Sequence, residues 1–84
     1  MSITDYLSQS LMQSSIESYV YDINKYKKNN KNADKYDYQK VMQYVEILRK
    51  QHSVSNVKRV IASIKKYYDY LIEIGKRKDN PARA

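Results

Sequence analysis

Apolar residues recur at three- and four-residue steps along most of the chain, and a single Gly (Gly75) and a single Pro (Pro81) interrupt it. That pattern predicts helix throughout, joined by polar connections. A short first helix is expected from about Thr4 to Met12, burying Tyr6, Leu7 and Leu11, with Ile3 just before it. Ser14 and Glu17 then stand three apart, the spacing of a capping box in which each side chain satisfies an orphaned backbone N–H. A second helix is predicted to start there, with Ile16, Tyr19, Val20, Ile23 and Tyr26 as its buried stripe. The segment Lys27–Lys35 lacks periodicity and reads as a solvated basic loop.

Asp37 is placed to cap a third helix over about Tyr38–Gln51, with Tyr38, Val41, Tyr44, Val45 and Leu48 on one face and Arg49 and Lys50 at the negative pole of the helix dipole. Ser53 or Ser55 caps the longest helix, whose stripe Val57, Val60, Ile61, Ile64, Tyr67, Tyr68, Leu71 and Ile74 runs to Gly75. Past it, Pro81 forbids helix and turns Asn80 toward an extended backbone. Residues 1–79 are therefore read as one domain and residues 80–84 as the beginning of a linker. Connections are expected near residues 13, 30–36 and 52–54.

Charge changes this picture. Residues 1–24 hold three acids and no base, whereas residues 25–84 hold 16 bases and six acids, a net charge of +10 in one part of the chain. Such a surface attracts a polyanion: nucleic acid first, with an anionic membrane or an acidic protein behind it. Chemistry is excluded more sharply. Without Cys, with His52 alone and with no paired carboxylates on a plausible pocket wall, metal and nucleophilic sites lack their parts, and one Gly cannot build a phosphate loop. No metal and no cofactor is expected. At 84 residues there is room for one modest core without disulfides. The absence of a signal peptide or a long apolar run leads to the expectation of a soluble, cytoplasmic protein that does not enter a membrane.

Between Ile47 and Tyr68 lie six bases (Arg49, Lys50, Lys58, Arg59, Lys65, Lys66) and no acid. Once the apolar stripe of the long helix is removed, Ser55, Arg59, Ala62, Ser63 and Lys66 follow one another at helical steps and form a strip expected to face away from the core. Small and basic side chains starting at a helix N-terminus suit insertion into a DNA groove, where Arg and Asn read base edges while hydroxyls and N–H groups bond phosphates. A plain solvated basic face fits the same strip. Among the ten tyrosines, Tyr19, Tyr26, Tyr44, Tyr67 and Tyr68 sit on apolar stripes and are expected in the core, and Tyr21, Tyr36 and Tyr70 are expected at the surface.

The order Ser14-Ser15-Ile16, Tyr19, Asp22-Ile23, Tyr26, followed by Ser53, Asn56, Arg59, Ile64-Lys65, Tyr67-Tyr68, Tyr70-Leu71, Gly75 and Asn80-Pro81, resembles the core-binding domain of tyrosine recombinases, the phage-integrase family. Departures are conservative: Ser15 and Asn56 stand where the family often has Thr, and Tyr26 and Tyr67 where it often has Phe. The resemblance implies an all-α fold, a compact four-helix orthogonal bundle of the SAM-like type, which binds double-stranded DNA by laying its second and fourth helices across the major groove. It implies DNA contacts from Ser14, Ser15, Ser18, Tyr21 and Lys25 on the second helix. On the fourth it implies Ser55, Asn56, Lys58, Arg59, Ser63 and Lys66. Ser14 is equally readable as a helix cap. The family's catalytic residues belong to a separate domain expected after Ala84, so no catalytic role is implied for any Tyr here; the fragment itself is expected to be monomeric, meeting other recombinase protomers through the intact bacterial or phage-encoded protein. A helical protein-interaction module, docking a partner through exposed Tyr and Met12 or Met42, is the alternative. Peripheral membrane binding ranks last, because the polar faces lack flanking bulky apolar residues.

Overall fold

The computed structural model describes residues 1–83 as four α-helices: α1 (Ile3–Ser8), α2 (Gln13–Asn29), α3 (Tyr38–Gln51) and α4 (Val54–Glu73). A turn of 3-10 helix at Ala33–Lys35 lies between α2 and α3, and no strand occurs among the described residues. The spine is α4, whose stripe buries Val57, Ile64, Tyr67, Tyr68 and Leu71 and half-buries Val60, Ile61 and Ile74. Its most extensive partner is α2, which contributes Ile16, Ile23 and Tyr26. Leu7 from α1 and Val41 and Val45 from α3 close the core around them.

Local chemistry explains most of the helix ends. Asp37 caps α3 by accepting from the Lys40 N–H at 2.9 Å, and Ser53 caps α4 through the Asn56 N–H at 3.4 Å. At the far end of α4, Gly75 takes φ +79°, the Lys76 N–H reaches the Leu71 carbonyl and the Gly75 N–H that of Ile72. This is a Schellman stop, which needs a left-handed residue where Gly carries no steric penalty.

Three expectations are corrected. The capping box sits at Ser2 and Asp5, not at Ser14 and Glu17: Asp5 N–H donates to Ser2 Oγ at 3.1 Å and Ser2 N–H to Asp5 Oδ2 at 3.4 Å. Ser14 caps nothing, because the extended residue is Met12 (φ −74°, ψ 156°) and Ser14 is already inside the first turn of α2. Packing accounts for the shift: Leu11 lies against the core and Ile16 is buried within it, and together they set where the chain turns. Consequently α1 stops at Ser8 rather than Met12. Second, α2 runs on to Asn29, and the segment expected to be a solvated loop buries Ala33. Asn30 ends the helix there, its amide donating to the Tyr26 carbonyl while its Oδ1 accepts from the Tyr36 hydroxyl. Third, Tyr38 is exposed although it stands on the α3 stripe, and Tyr36 and Tyr70, expected at the surface, are half-buried, Tyr70 by donating to the Met1 carbonyl at 2.7 Å.

Residues 80–83, read above as linker, are docked on α4. Asn80 Nδ2 donates to the Lys65 carbonyl and to Asp69 Oδ1, Pro81 and Ala82 are buried, and Arg83 pairs with Asp69 at 2.7 Å. Ala84 lies outside the described residues. Arg77, 13% exposed, donates to the carbonyls of Asp34 and Tyr36 and lies over the Tyr68 ring.

At the centre, Tyr68 donates to the Ala33 carbonyl at 2.6 Å, which leaves its oxygen to accept from Tyr26 across another 2.6 Å. Tyr68→Phe would strip a buried carbonyl and a buried hydroxyl of their partners at once. Urea denaturation should show a loss of about 1–3 kcal/mol, and an unchanged midpoint would contradict this chain of bonds. Burial pushes the Tyr67 and Tyr68 hydroxyls up to about 12 and raises Tyr26 as well, burial again leading and its bond to Tyr68 adding to it. Unfolded tyrosines ionise near pH ~10. The unfolded chain therefore releases protons first, so the stability is fully present below about pH 10 and is lost as pH rises toward 12. Melting temperature followed together with tyrosinate absorbance checks this. Ionisation of all ten tyrosines near pH ~10 before any unfolding would contradict it.

Candidate functional site

A carboxylate stripped of water is costly unless charge and hydrogen bonds replace the solvent. Asp22 is 3% exposed, one turn from both Tyr19 and Tyr26 on the buried side of α2. It accepts from Arg59 Nε at 3.0 Å, from Arg59 Nη2 at 3.2 Å and from Ser63 Oγ at 3.0 Å. The Ser63 hydroxyl has a single proton, and the carboxylate is the stronger acceptor; the Arg59 carbonyl, 3.1 Å away, is its alternative. The bond to Asp22 also holds the Arg59 proton more firmly than usual. Helix α2 supplies the anion and α4 both donors, so this cluster pins the two helices together.

Above the pair is a cleft of about 220 Å³, lined by Tyr21, Asp22 and Lys25 of α2, Tyr44 and Leu48 of α3, His52, and Asn56, Arg59 and Val60 of α4. A second depression continues from Tyr21 and Lys25 along Asn24, Lys28 and Asn29. On the other side of His52 a third is lined by Arg49, Val54, Val57, Lys58 and Ile61. The first two hollows adjoin along α2, sharing Tyr21 and Lys25, and the third meets the first at His52, on the other flank of α4. Their lining offers Lys25, Lys28, Arg49, Lys58 and Arg59 as cations, of which Arg49 is paired with Glu46 at 3.0 Å and Arg59 with the buried Asp22. Amides and hydroxyls of Asn24, Asn29, Asn56 and Tyr21 stand between the charges. Such a surface suits an extended polyanion with hydrogen-bonding edges.

Of the residues singled out from the sequence, Tyr21, Lys25, Asn56 and Arg59 are brought together in the cleft, and Lys58 flanks it. Ser14, Ser18 and Ser55 are exposed outside the cleft lining, and Ser15 is half-buried. Lys66 is turned toward the connection between α1 and α2, its Nζ 3.4 Å from Ser10 Oγ. Ser63 is a correction: expected on the outward strip, it is wholly buried and its hydroxyl is committed to Asp22. Its position explains why, since Ser63 follows Val60 by three residues and precedes Tyr67 by four, which puts it inside the apolar stripe. Sequence reasoning gave Asp22 no part in the site, although an acid one turn from both Tyr19 and Tyr26 was the available signal. It also left out Asn24 and Lys28, which follow Tyr21 by three and seven residues along α2 and were within reach of helical spacing, and His52, which packing alone brings to the cleft.

The sequence matches the family described as phage integrase, N-terminal SAM-like domain, over residues 4–75. No curated protein and no solved structure matches it.

Proposed function

The chain belongs to the phage integrase N-terminal SAM-like domain family, and on that premise we propose that it is the DNA-gripping module of a site-specific tyrosine recombinase. It holds the core recombination site through the face that α2 and α4 share. One observation carries this reading: Lys25, Lys28 and Lys58, with Asn and Tyr side chains between them, line the hollows around the α2–α4 cleft, whose buried acid is neutralised by Arg59.

In this reading Lys25, Lys28 and Lys58 meet phosphates, for which a mobile ammonium is suited, and the hydroxyls of Ser14, Ser15, Ser18 and Ser55 add phosphate contacts along the rims. Lys66 extends the cationic edge toward the connection between α1 and α2. Asn56 and Arg59 line the cleft on its α4 side and reach base edges in the major groove, with Tyr21 stacking beside them. Strand cleavage belongs to a separate catalytic domain of the intact protein, through which recombinase protomers also meet. The tyrosines at the centre of this fold are unsuited to that work, since Tyr26 and Tyr68 are buried and their hydroxyls are bonded to each other and to Ala33.

A second reading, as a protein-interaction module, draws on α3. There Tyr38, Met42 and Ile47 leave an apolar strip at the surface among Gln39, Gln43, Glu46 and Lys50. Amide shift titration with duplex DNA separates the two: perturbations on α2 and α4 support the DNA reading, and an undisturbed face refutes it. Lys25→Ala and Lys58→Ala should each weaken binding by similar factors on every duplex and flatten the salt dependence by about one unit. Arg59→Ala should cost about 1–3 kcal/mol on a preferred duplex and less on random sequence. Binding that ignores salt would favour the α3 reading.

A further inference from the structure

We propose that Asp22 is a specificity-determining positioning residue: by clasping Arg59 side-on, it presents the opposite edge of the guanidinium as a fixed fork at the floor of the α2–α4 cleft. The inference rests on the DNA reading above. A guanidinium has five N–H groups in one plane. Asp22 takes Nε and one N–H of Nη2, at 3.0 and 3.2 Å. Of the three that remain, one on Nη1 and the other on Nη2 form the end of the fork, two parallel donors that match the O6 and N7 acceptors of guanine. Arg59 is 46% exposed on its side chain and lines the cleft, so the group held from below is still open from above.

Two features separate this arrangement from an ordinary surface ion pair. Asp22 is itself fixed, buried to 3% exposure and bonded by Ser63, so the anchor does not move with the arginine. An unheld arginine would lose rotamer entropy on meeting a base; here that cost is met on folding. Moreover the pair has no net charge, so Arg59 adds little to general attraction for phosphates. The remaining lysines supply that attraction, and the clasped arginine supplies discrimination. A single buried carboxylate thus divides the labour of one basic face.

The test uses the full chain and the duplex that it enriches from a random-sequence pool, with random duplex as the reference. In Asp22→Asn the isosteric amide keeps the shape and removes the charge. The ratio of enriched-duplex to random-duplex affinity should fall about tenfold, random-duplex affinity should hold or rise, and the salt slope should steepen by up to about one unit as the guanidinium charge is released. In the same variant the Arg59 Nε–H resonance should lose its protection from solvent exchange. Ser63→Ala, which loosens the anchor and leaves the charges alone, should lower the ratio about threefold, and it keeps the question open to measurement should Asp22→Asn not fold. If either folded variant weakens both duplexes equally, with ratio and slope unchanged, Asp22 merely holds the helices together and the proposal fails while the DNA reading stands. If the unaltered chain binds neither duplex, the DNA reading falls and this inference falls with it.

Discussion

The constraint on which the arrangement of α2 and α4 turns is the burial of the Asp22 carboxylate. An ionised group at 3% exposure cannot be left to water, and breaking a buried pair by removing one partner typically costs ~3–5 kcal/mol, so its neighbours have little freedom. Arg59 must lie side-on against it and Ser63 must turn inward, which fixes the rotation of α4 about its own axis relative to α2. That rotation decides which other residues of α4 look outward. Asn56 shares the cleft because it lies one turn before Arg59 on the same face, and Lys58 falls on the flank.

Specificity of packing also comes from tyrosine where a core would more simply use phenylalanine. Ten tyrosines and no Phe or Trp mean that the largest core side chains carry hydroxyls. Those on Tyr26 and Tyr68 cannot be buried unpaired, and the Ala33 carbonyl completes the chain of bonds. Tyr26 also meets Tyr36, Tyr44 and Tyr67 edge-on, an arrangement in which ring quadrupoles attract. An apolar core tolerates small slips of one helix against another. This one penalises them, since a slip leaves a polar group without its partner.

How much of this was legible follows from whether a signal was local. Asp37, Ser53, Gly75 and the long stripe of α4 act within a few residues of themselves, and all are where the sequence put them. The all-helical class follows from the same periodicity. Ser14 misled because α2 begins one residue before it, with Met12 as the extended residue, and the burial of Leu11 and Ile16 that accompanies this start is not visible in the capping spacing. The stretch from Lys27 to Lys35 looked solvated because its one apolar residue, Ala33, is too small to mark a stripe, although its side chain is buried and its carbonyl accepts from Tyr68. In the candidate site, the family resemblance implied Tyr21, Lys25, Asn56 and Arg59, and helical spacing marked Arg59 alone of these. It could not find that Arg59 is already half engaged, because the partner lies 37 residues away on another helix.

Arg77 bears on a practical matter of boundaries. Its guanidinium reaches back to the carbonyls of Asp34 and Tyr36 and covers the Tyr68 ring, and Asn80 fastens the chain to Lys65 and Asp69. Both residues fall beyond residue 75, where the family match ends. A unit of descent, recognised by recurring sequence, is here shorter than the unit of folding. Excising the module at the edge of the recognisable pattern would leave two carbonyls and an aromatic face without their cover, so a recombinant boundary is better drawn by contacts than by similarity.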